Sequence, residues 1–177
     1  ANALHYKWNS FMPMAVKKGA GNELIENFSD GLNSLTSTVI GKNRTNTLMA
    51  CSYLYGYIPD LYSLYKTPVS PEIKRIRYYI RNAMLNAMTA NWQQAESDLE
   101  NLKSSWSLCK NTIPQKLLED ANRLDFSIYE LEKVIVKRDQ SLSDIKGRVA
   151  MSNVDTLEKA MEKNPAQSEG GRDSGEE

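Results

Sequence analysis

The sequence has little of what most metal-binding, nucleic-acid-binding and catalytic sites are built from. Its 177 residues include one histidine and two cysteines, too few ligands for a closed zinc site of the usual kind. The 22 basic residues are balanced by 22 acidic ones, which argues against nucleic acid as a partner, because phosphate binding needs a basic surplus. No apolar run approaches the roughly 18 residues that a membrane span requires. Glycine-rich phosphate loops, Cys-x-x-Cys motifs and Ser-His-Asp arrangements are also absent. We therefore expect a protein that is not an enzyme and has no cofactor.

The chain begins with Ala1 rather than methionine, and no charged segment followed by an apolar one comes after it. This start is expected for a processed mature protein or for a trimmed sequence. Removal of a signal or lipoprotein segment would produce it, and a cloning boundary would do so equally well. Any membrane contact is therefore expected only through a removed N-terminal anchor.

Apolar residues recur at spacings of three and four along almost the whole chain, a pattern that predicts α-helices and favours no β-strand. We expect an all-α fold, an antiparallel bundle of five to seven helices with short connections. A connection is predicted over residues 66–71. It separates N-terminal helices in residues 1–67 from a C-terminal helical bundle in residues 68–163. Residues 164–177 contain no large hydrophobe and are predicted to form a disordered acidic tail.

The helical pattern is irregular in three places. Pro13 interrupts the first segment, so we expect a kink or a break there, and Pro59 is expected to bend the third. Towards the C-terminal end, a short helix with Leu142, Ile145 and Val149 facing inward is predicted to precede a separate last helix.

Both cysteines lie within helical apolar patterns. We interpret Cys51 and Cys109 first as small buried hydrophobic residues. The alternative is one disulfide that joins two helices, which requires an oxidising compartment.

The N-terminal segment contains the only candidate metal ligands with a recognisable chemistry. His5, Met12 and Met14 offer one imidazole and two thioethers, a set that suits Cu(I). The favoured interpretation is that Met12 packs in the core and that Met14 is incidental. A catalytic role for His5 is not expected, because a chain end provides no rigid partner to orient the imidazole.

Tyrosines are concentrated in the third helical segment and shortly after it. Tyr55, Tyr62 and Tyr65 recur there at helical spacing. Tyrosine is common in binding grooves and interfaces because its ring is apolar and its hydroxyl is polar. The boundary of a helical core uses it for the same reason. We expect these three residues to bind a protein partner or a small ligand.

Basic residues are concentrated in the fourth helical segment. Lys74, Arg77 and Arg81 share one face there. We interpret them as a solvated face with acidic neighbours on another helix. Contact with a membrane headgroup or a polyanion is the alternative.

A stretch of about 70 residues, 91–162, resembles a known group of proteins. The run Asn91-Trp92-Gln93-Gln94-Ala95-Glu96, followed by Leu99, Leu102 and Trp106, resembles the first helix of a hairpin found in uncharacterised helical domains of Firmicutes. Many of those domains are membrane-anchored or lipoprotein-like. The resemblance implies an extracytoplasmic, lipid-anchored bundle and implies no activity. Trp92 and Trp106 themselves are interpreted as core anchors between two helices.

The residue patterns predict a non-enzymatic helical bundle that acts as a binding or scaffold module, and the resemblance implies that it lies in the cell envelope of a Gram-positive bacterium. Two alternatives stay open. One is a bundle that binds a small ligand or copper in a pocket, which should exceed about 300 Å³ and be lined by tyrosine and methionine. The other is a cytosolic regulatory bundle, in which both cysteines are reduced.

Overall fold

The computed structural model describes residues 1–164 and contains only helices there. Seven α-helices have 12 residues or more and one has six. In chain order they are α1 (Asn2–Lys17), α2 (Asn22–Ile40), α3 (Arg44–Tyr55), α4 (Ile58–Ser63), α5 (Pro71–Met88), α6 (Trp92–Lys110), α7 (Leu118–Val136) and α8 (Gln140–Lys163), with a 3₁₀ turn over Gln115–Leu117. The predicted all-α bundle is confirmed. Apart from Asn164, the predicted acidic tail lies outside the described residues.

Side-chain caps define the start of three helices. The Asn43 Oδ1 atom accepts a hydrogen bond from the Asn46 amide at the start of α3, and Asp139 caps α8 in the same way. Ser70 caps α5, whose first residue is Pro71, and proline is suited to that position because its missing N–H is not needed there.

Apolar side chains form two separate core clusters. Residues 1–67, the N-terminal half, bury an aromatic-rich set: Trp8, Phe28, Leu32, Leu35, Leu54 and Leu61. Residues 68–164, the C-terminal half, bury an aliphatic set, of which Ile73, Ile76, Ile80, Leu102, Leu124 and Leu131 are almost fully inaccessible. The first cluster ends at Leu64 and the second begins at Val69, so the change from one to the other falls at the predicted connection over residues 66–71, which contributes Val69 to the second cluster.

The chain does not break at either proline. Helix α1 continues through Pro13, so of the predicted kink or break the break is wrong. The third segment is interrupted before Pro59, at Gly56 and Tyr57, and Pro59 then lies in the first turn of α4, where proline is tolerated. A Cβ atom at Gly56 would come within 2.9 Å of the Tyr78 ring, so glycine permits the end of α3 to approach α5 closely.

Helix α8 differs most from the prediction. It is one continuous helix of 24 residues rather than two short ones. Leu142, Ile145 and Val149 are 42%, 54% and 47% exposed, so their predicted inward orientation is wrong. The buried stripe runs instead through the small residues Ser143, Gly147 and Ala150 before it reaches Val154, Leu157 and Met161. A Cβ atom at Gly147 would lie 2.6 Å from Met84, so small residues bring this part of α8 against α5.

The two cysteines have different environments and are both free thiols. Cys109 is buried as predicted, and burial raises the pKa of its thiol to about 11. Cys51 is exposed, which contradicts the prediction that it is buried.

Candidate functional site

An open apolar groove of about 420 Å³ lies between α1, α2 and α4. We call it the aromatic groove. Its lining comprises Leu4, Lys7, Trp8, Phe11, Phe28, Ile58, Leu61, Tyr62 and Tyr65, and Lys7 carries the only charge among them. The groove therefore offers aromatic and aliphatic surface with a single cation.

Helix α1 forms one wall of the aromatic groove. Leu4, Trp8 and Phe11 follow at spacings of four and three and so share a face of the helix. Trp8 is anchored from both ends: its Nε1 donates to the Ser29 Oγ atom at 2.9 Å, and its ring centroid lies 4.1 Å from that of Phe28. These contacts fix the ring of Trp8 as part of a preformed floor.

The opposite wall comes from α4 and the residues that follow it. Leu61 is buried, whereas Tyr62 and Tyr65 are partly exposed along the groove. The Tyr65 ring lies 6.0 Å from the Phe11 ring and connects the two walls. The Tyr65 hydroxyl is buried and has no hydrogen-bond partner among the described residues.

Tyr62 also touches a charged cluster outside the groove. The Lys74 Nζ atom lies 5.1 Å from the centre of the Tyr62 ring, a cation–π contact. Lys74 and Arg77 both pair with Glu158, and Arg77 also pairs with Asp155. We call these four charged residues the ion cluster. It joins α5 to α8, so the expected acidic neighbours of Lys74 and Arg77 are present.

Burial and ion pairing shift the pKa values of the ion cluster in opposite directions. Burial disfavours the charge of each group, but hydrogen bonds and attraction between opposite charges outweigh it. As a result the pKa values of Lys74 and Arg77 are raised and the pKa of Glu158 is lowered. All three groups therefore stay charged at neutral pH.

The structure brings together two of the three predicted tyrosines. Tyr62 and Tyr65 line the aromatic groove, but Tyr55 does not. The guanidinium of Arg81 lies 4.7 Å from the centre of the Tyr55 ring, on the α3 side of α5. Burial raises the pKa of the Tyr55 hydroxyl, and the nearby positive charges of Arg77 and Lys74 only partly offset that effect.

The candidate copper ligands do not converge. Residues of an α-helix advance by about 100° each, so Met14 lies on nearly the opposite side of α1 from Met12. Met12 packs against the N-terminal core, whereas Met14 is 55% exposed. His5 shares a hydrogen bond of 2.8 Å with the Thr36 hydroxyl. The geometry of the described residues therefore gives the copper alternative no support.

The α1 and α2 side of the aromatic groove was not predicted from the sequence. Two of the three phenylalanines and one of the three tryptophans lie within the first 28 residues, and this concentration was the available signal. Spacing alone presents Trp8, Phe11 and Phe28 as ordinary core residues. Only the arrangement of the helices shows that the core remains open beside them.

Comparisons with protein families, with characterised proteins and with solved structures find no match to this chain. Within residues 1–164, none of the helices combines the length and apolar character that a membrane crossing needs. The same residues contain no group of three or more His, Cys, Asp or Glu side chains placed to hold a metal ion.

Proposed function

We propose that the protein is a non-enzymatic binding module that accepts large apolar side chains of a protein partner in the aromatic groove. The observation that carries the proposal is the lining of the groove, in which five aromatic rings surround an opening of about 420 Å³. Aromatic residues are the ones most enriched where binding energy is concentrated at protein interfaces. A partner that fills the groove removes the partly exposed rings of Phe11, Tyr62 and Tyr65 from water.

The shape of the groove favours side chains of a protein partner over a free small molecule. Pockets for small ligands bury most of the surface of their ligand, and polar groups in them fix its orientation. The aromatic groove is open along one side, and Lys7 is its only charged group. An apolar side chain of a protein partner needs no polar groups in the groove to orient it, because the partner's own secondary structure fixes its position.

The floor of the groove is preformed, which lowers the cost of binding. Trp8 is held by its hydrogen bond to Ser29 and by its contact with Phe28, so its ring loses little freedom when a partner arrives. Tyr62 and Tyr65 are partly exposed at the opening, so their side chains lose more freedom when a partner binds.

A peptide selection tests the proposal. A library of random peptides is displayed and selected on the wild-type protein, and the binding of the enriched peptides is then measured on the Tyr62→Ala/Tyr65→Ala variant. We expect enriched peptides to carry Trp, Phe or Leu at helical spacing, and to bind the variant at least tenfold more weakly. Tyr129→Ala, which removes a 54% exposed tyrosine on α7, is the matched control and should bind as wild type does.

Two results would contradict this function. In the first, peptides bind the double variant as tightly as the wild type, which would place the recognition surface elsewhere. In the second, the double variant loses most of its thermal stability, which would make Tyr62 and Tyr65 core residues rather than binding residues.

The volume of the groove supports one alternative, a small apolar ligand. At about 420 Å³ it exceeds the expected minimum, although tyrosine and not methionine lines it. Saturable binding of octanol at one site per chain, lost in Tyr62→Ala/Tyr65→Ala, would favour this alternative if no peptide is selected.

We further propose that the module works in the cell envelope, on the strength of the resemblance of residues 91–162 to membrane-anchored helical domains. Trp92 and Trp106 carry that resemblance, and Trp106 is buried in the C-terminal core as an anchor. The test is to read the coding sequence upstream of Ala1 and to fractionate the cells that make the protein. A leader ending in a lipidated cysteine supports the envelope location. An initiator methionine directly before Ala1, with the protein in the cytosol, would favour a cytosolic regulatory bundle instead.

A further inference from the structure

A second opening of about 610 Å³ lies where α3, α5 and α8 meet, away from the aromatic groove. We call it the basic crevice. Three arginines and three methionines are its distinctive lining: Arg44, Arg81, Arg148, Met84, Met88 and Met151. No aspartate or glutamate lines it. It therefore combines positive charge with apolar surface.

The positive charge of the basic crevice is largely uncompensated. Helix α5 carries four cations, and three of them, Lys74, Arg75 and Arg77, pair with carboxylates. The fourth, Arg81, faces the crevice, and no carboxylate of the described residues lies within ion-pair distance of it. The same holds for Arg44.

The third arginine is partly compensated. Arg148 forms an ion pair of 2.9 Å with Asp144, one turn earlier on α8. The surplus charge of the crevice therefore comes mainly from α3 and α5, through Arg44 and Arg81.

Arg81 is held in place before any ligand arrives. Its guanidinium lies 4.7 Å from the centre of the Tyr55 ring, and the side chain is partly buried. A stacked guanidinium keeps its planar set of donors free for a carboxylate or a phosphate. Tyr55, which lines neither opening, thus positions the arginine that does.

The apolar part of the crevice is built for adaptable contact. Methionine side chains are flexible and polarisable, so Met84, Met88 and Met151 can follow the outline of an apolar group. Met84 also packs against α8, where a Cβ atom at Gly147 would lie 2.6 Å from it.

We propose that the basic crevice binds a small amphiphilic anion, with its carboxylate or phosphate head at Arg44 and Arg81 and its apolar body against the methionines. The volume is in the range of small-ligand sites, about 300–1,000 Å³. The arginines alone would suit many anions, and the methionines alone would suit many apolar groups. Together they favour a molecule that carries both a negative charge and an apolar chain.

The exposed thiol of Cys51 provides a direct readout, because it also lines the crevice. Cys109 is buried, so a neutral alkylating reagent such as iodoacetamide should modify Cys51 alone in the folded protein. A ligand in the crevice blocks the reagent, and at ten times its Kd it should slow alkylation by about tenfold. The probes are octanoate and octyl phosphate, with octanol as the neutral analogue and inorganic phosphate as the head group alone.

We expect octanoate or octyl phosphate to protect Cys51 at concentrations at least tenfold below those at which octanol or phosphate does. The Arg44→Met/Arg81→Met variant should lose at least tenfold in affinity for the anion. Its matched control is Lys159→Met/Lys163→Met, which removes two exposed cations of α8 outside the crevice. Arg44→Met alone, at an exposed position, should show a smaller loss and covers the case in which the double variant does not fold.

The proposal fails if octanol protects as well as octanoate, if the double arginine variant binds both anions as wild type does, or if no probe protects Cys51. If one anion protects better than the other, that difference identifies the head group. None of these outcomes depends on Tyr62 or Tyr65, so the test is independent of the function proposed for the aromatic groove.

Discussion

In the C-terminal half, Ile73, Ile76 and Ile80 are fully buried, whereas in the N-terminal half Phe11, Tyr62 and Tyr65 stay partly exposed around an opening. Helix α5 explains much of the difference, because it packs extensively against both α6 and α8. The aliphatic side chains of α5 are therefore enclosed by neighbouring helices, whereas α1 packs mainly against α2, so the rings beside it stay partly exposed. The C-terminal half thus has a closed apolar core, and the N-terminal half keeps the partly exposed apolar surface that the proposed binding function requires.

The largest effect is expected from a cavity in the C-terminal core. Ile76→Ala should lower the free energy of unfolding by about 4 kcal/mol, because a fully buried isoleucine loses its contacts on every side. The counterpart in the N-terminal half is Leu61→Ala, expected to cost about 2 kcal/mol because Leu61 already borders the open groove. Denaturant unfolding measures both, and equal losses would show that the two halves are equally well packed.

The next largest effect tests the ion cluster of the C-terminal half. Glu158→Gln should cost about 3 kcal/mol at neutral pH, because it leaves the partly buried Lys74 without a carboxylate partner and Arg77 with Asp155 alone. Glu119→Gln is the control, since the carboxylate of Glu119 pairs with Arg123 on the surface and should change stability by less than about 0.5 kcal/mol.

The pH dependence of the ion cluster follows from the lowered pKa of Glu158. Its folded pKa lies below the unfolded value of about 4.3, so its contribution is fully present above that value and is lost as the pH falls through the folded pKa. Acid should therefore reduce the difference in stability between wild type and Glu158→Gln. A difference that stays constant from pH 7 to pH 2 would contradict the role assigned to the carboxylate.

The smallest effect is expected in the N-terminal half and has the opposite sign. Tyr65→Phe should raise the free energy of unfolding by about 1 kcal/mol, because it removes a buried hydroxyl that has no partner. Tyr129→Phe, at an exposed tyrosine, should leave stability unchanged. Thermal unfolding measures the stability of both variants relative to wild type. A loss of stability in Tyr65→Phe would mean that the hydroxyl makes a stabilising interaction.

Sequence reasoning predicted the helices well because their apolar residues repeat with the helical period. It failed on the face of α8, where the buried stripe uses Ser143, Gly147 and Ala150. Hydrophobicity carries no signal for such residues, since they are buried to permit close approach. Nor does periodicity predict that Asn86 and Asp98 are buried together and hydrogen-bonded at 2.8 Å.

The candidate site was predictable only in part, for a different physical reason. The density of tyrosines pointed to Tyr62 and Tyr65, but the same signal included Tyr55, which stacks with Arg81 outside the groove. An opening is a property of how helices are placed relative to one another. Residue spacing specifies which face of a helix is apolar and does not specify whether a neighbour covers that face completely.

The position of α1 at the edge of the bundle has a consequence for local opening. Helix α1 has its main contacts with α2, and that contact is small, while α5 lies between several neighbours. Local unfolding therefore costs least at α1, and its amide protons should exchange with solvent earlier than those of α5. Because α1 carries one wall of the aromatic groove, each such opening dismantles the groove while the C-terminal core stays folded. A partner bound in the aromatic groove should therefore slow the exchange of the amide protons of α1, because it binds only while α1 is folded.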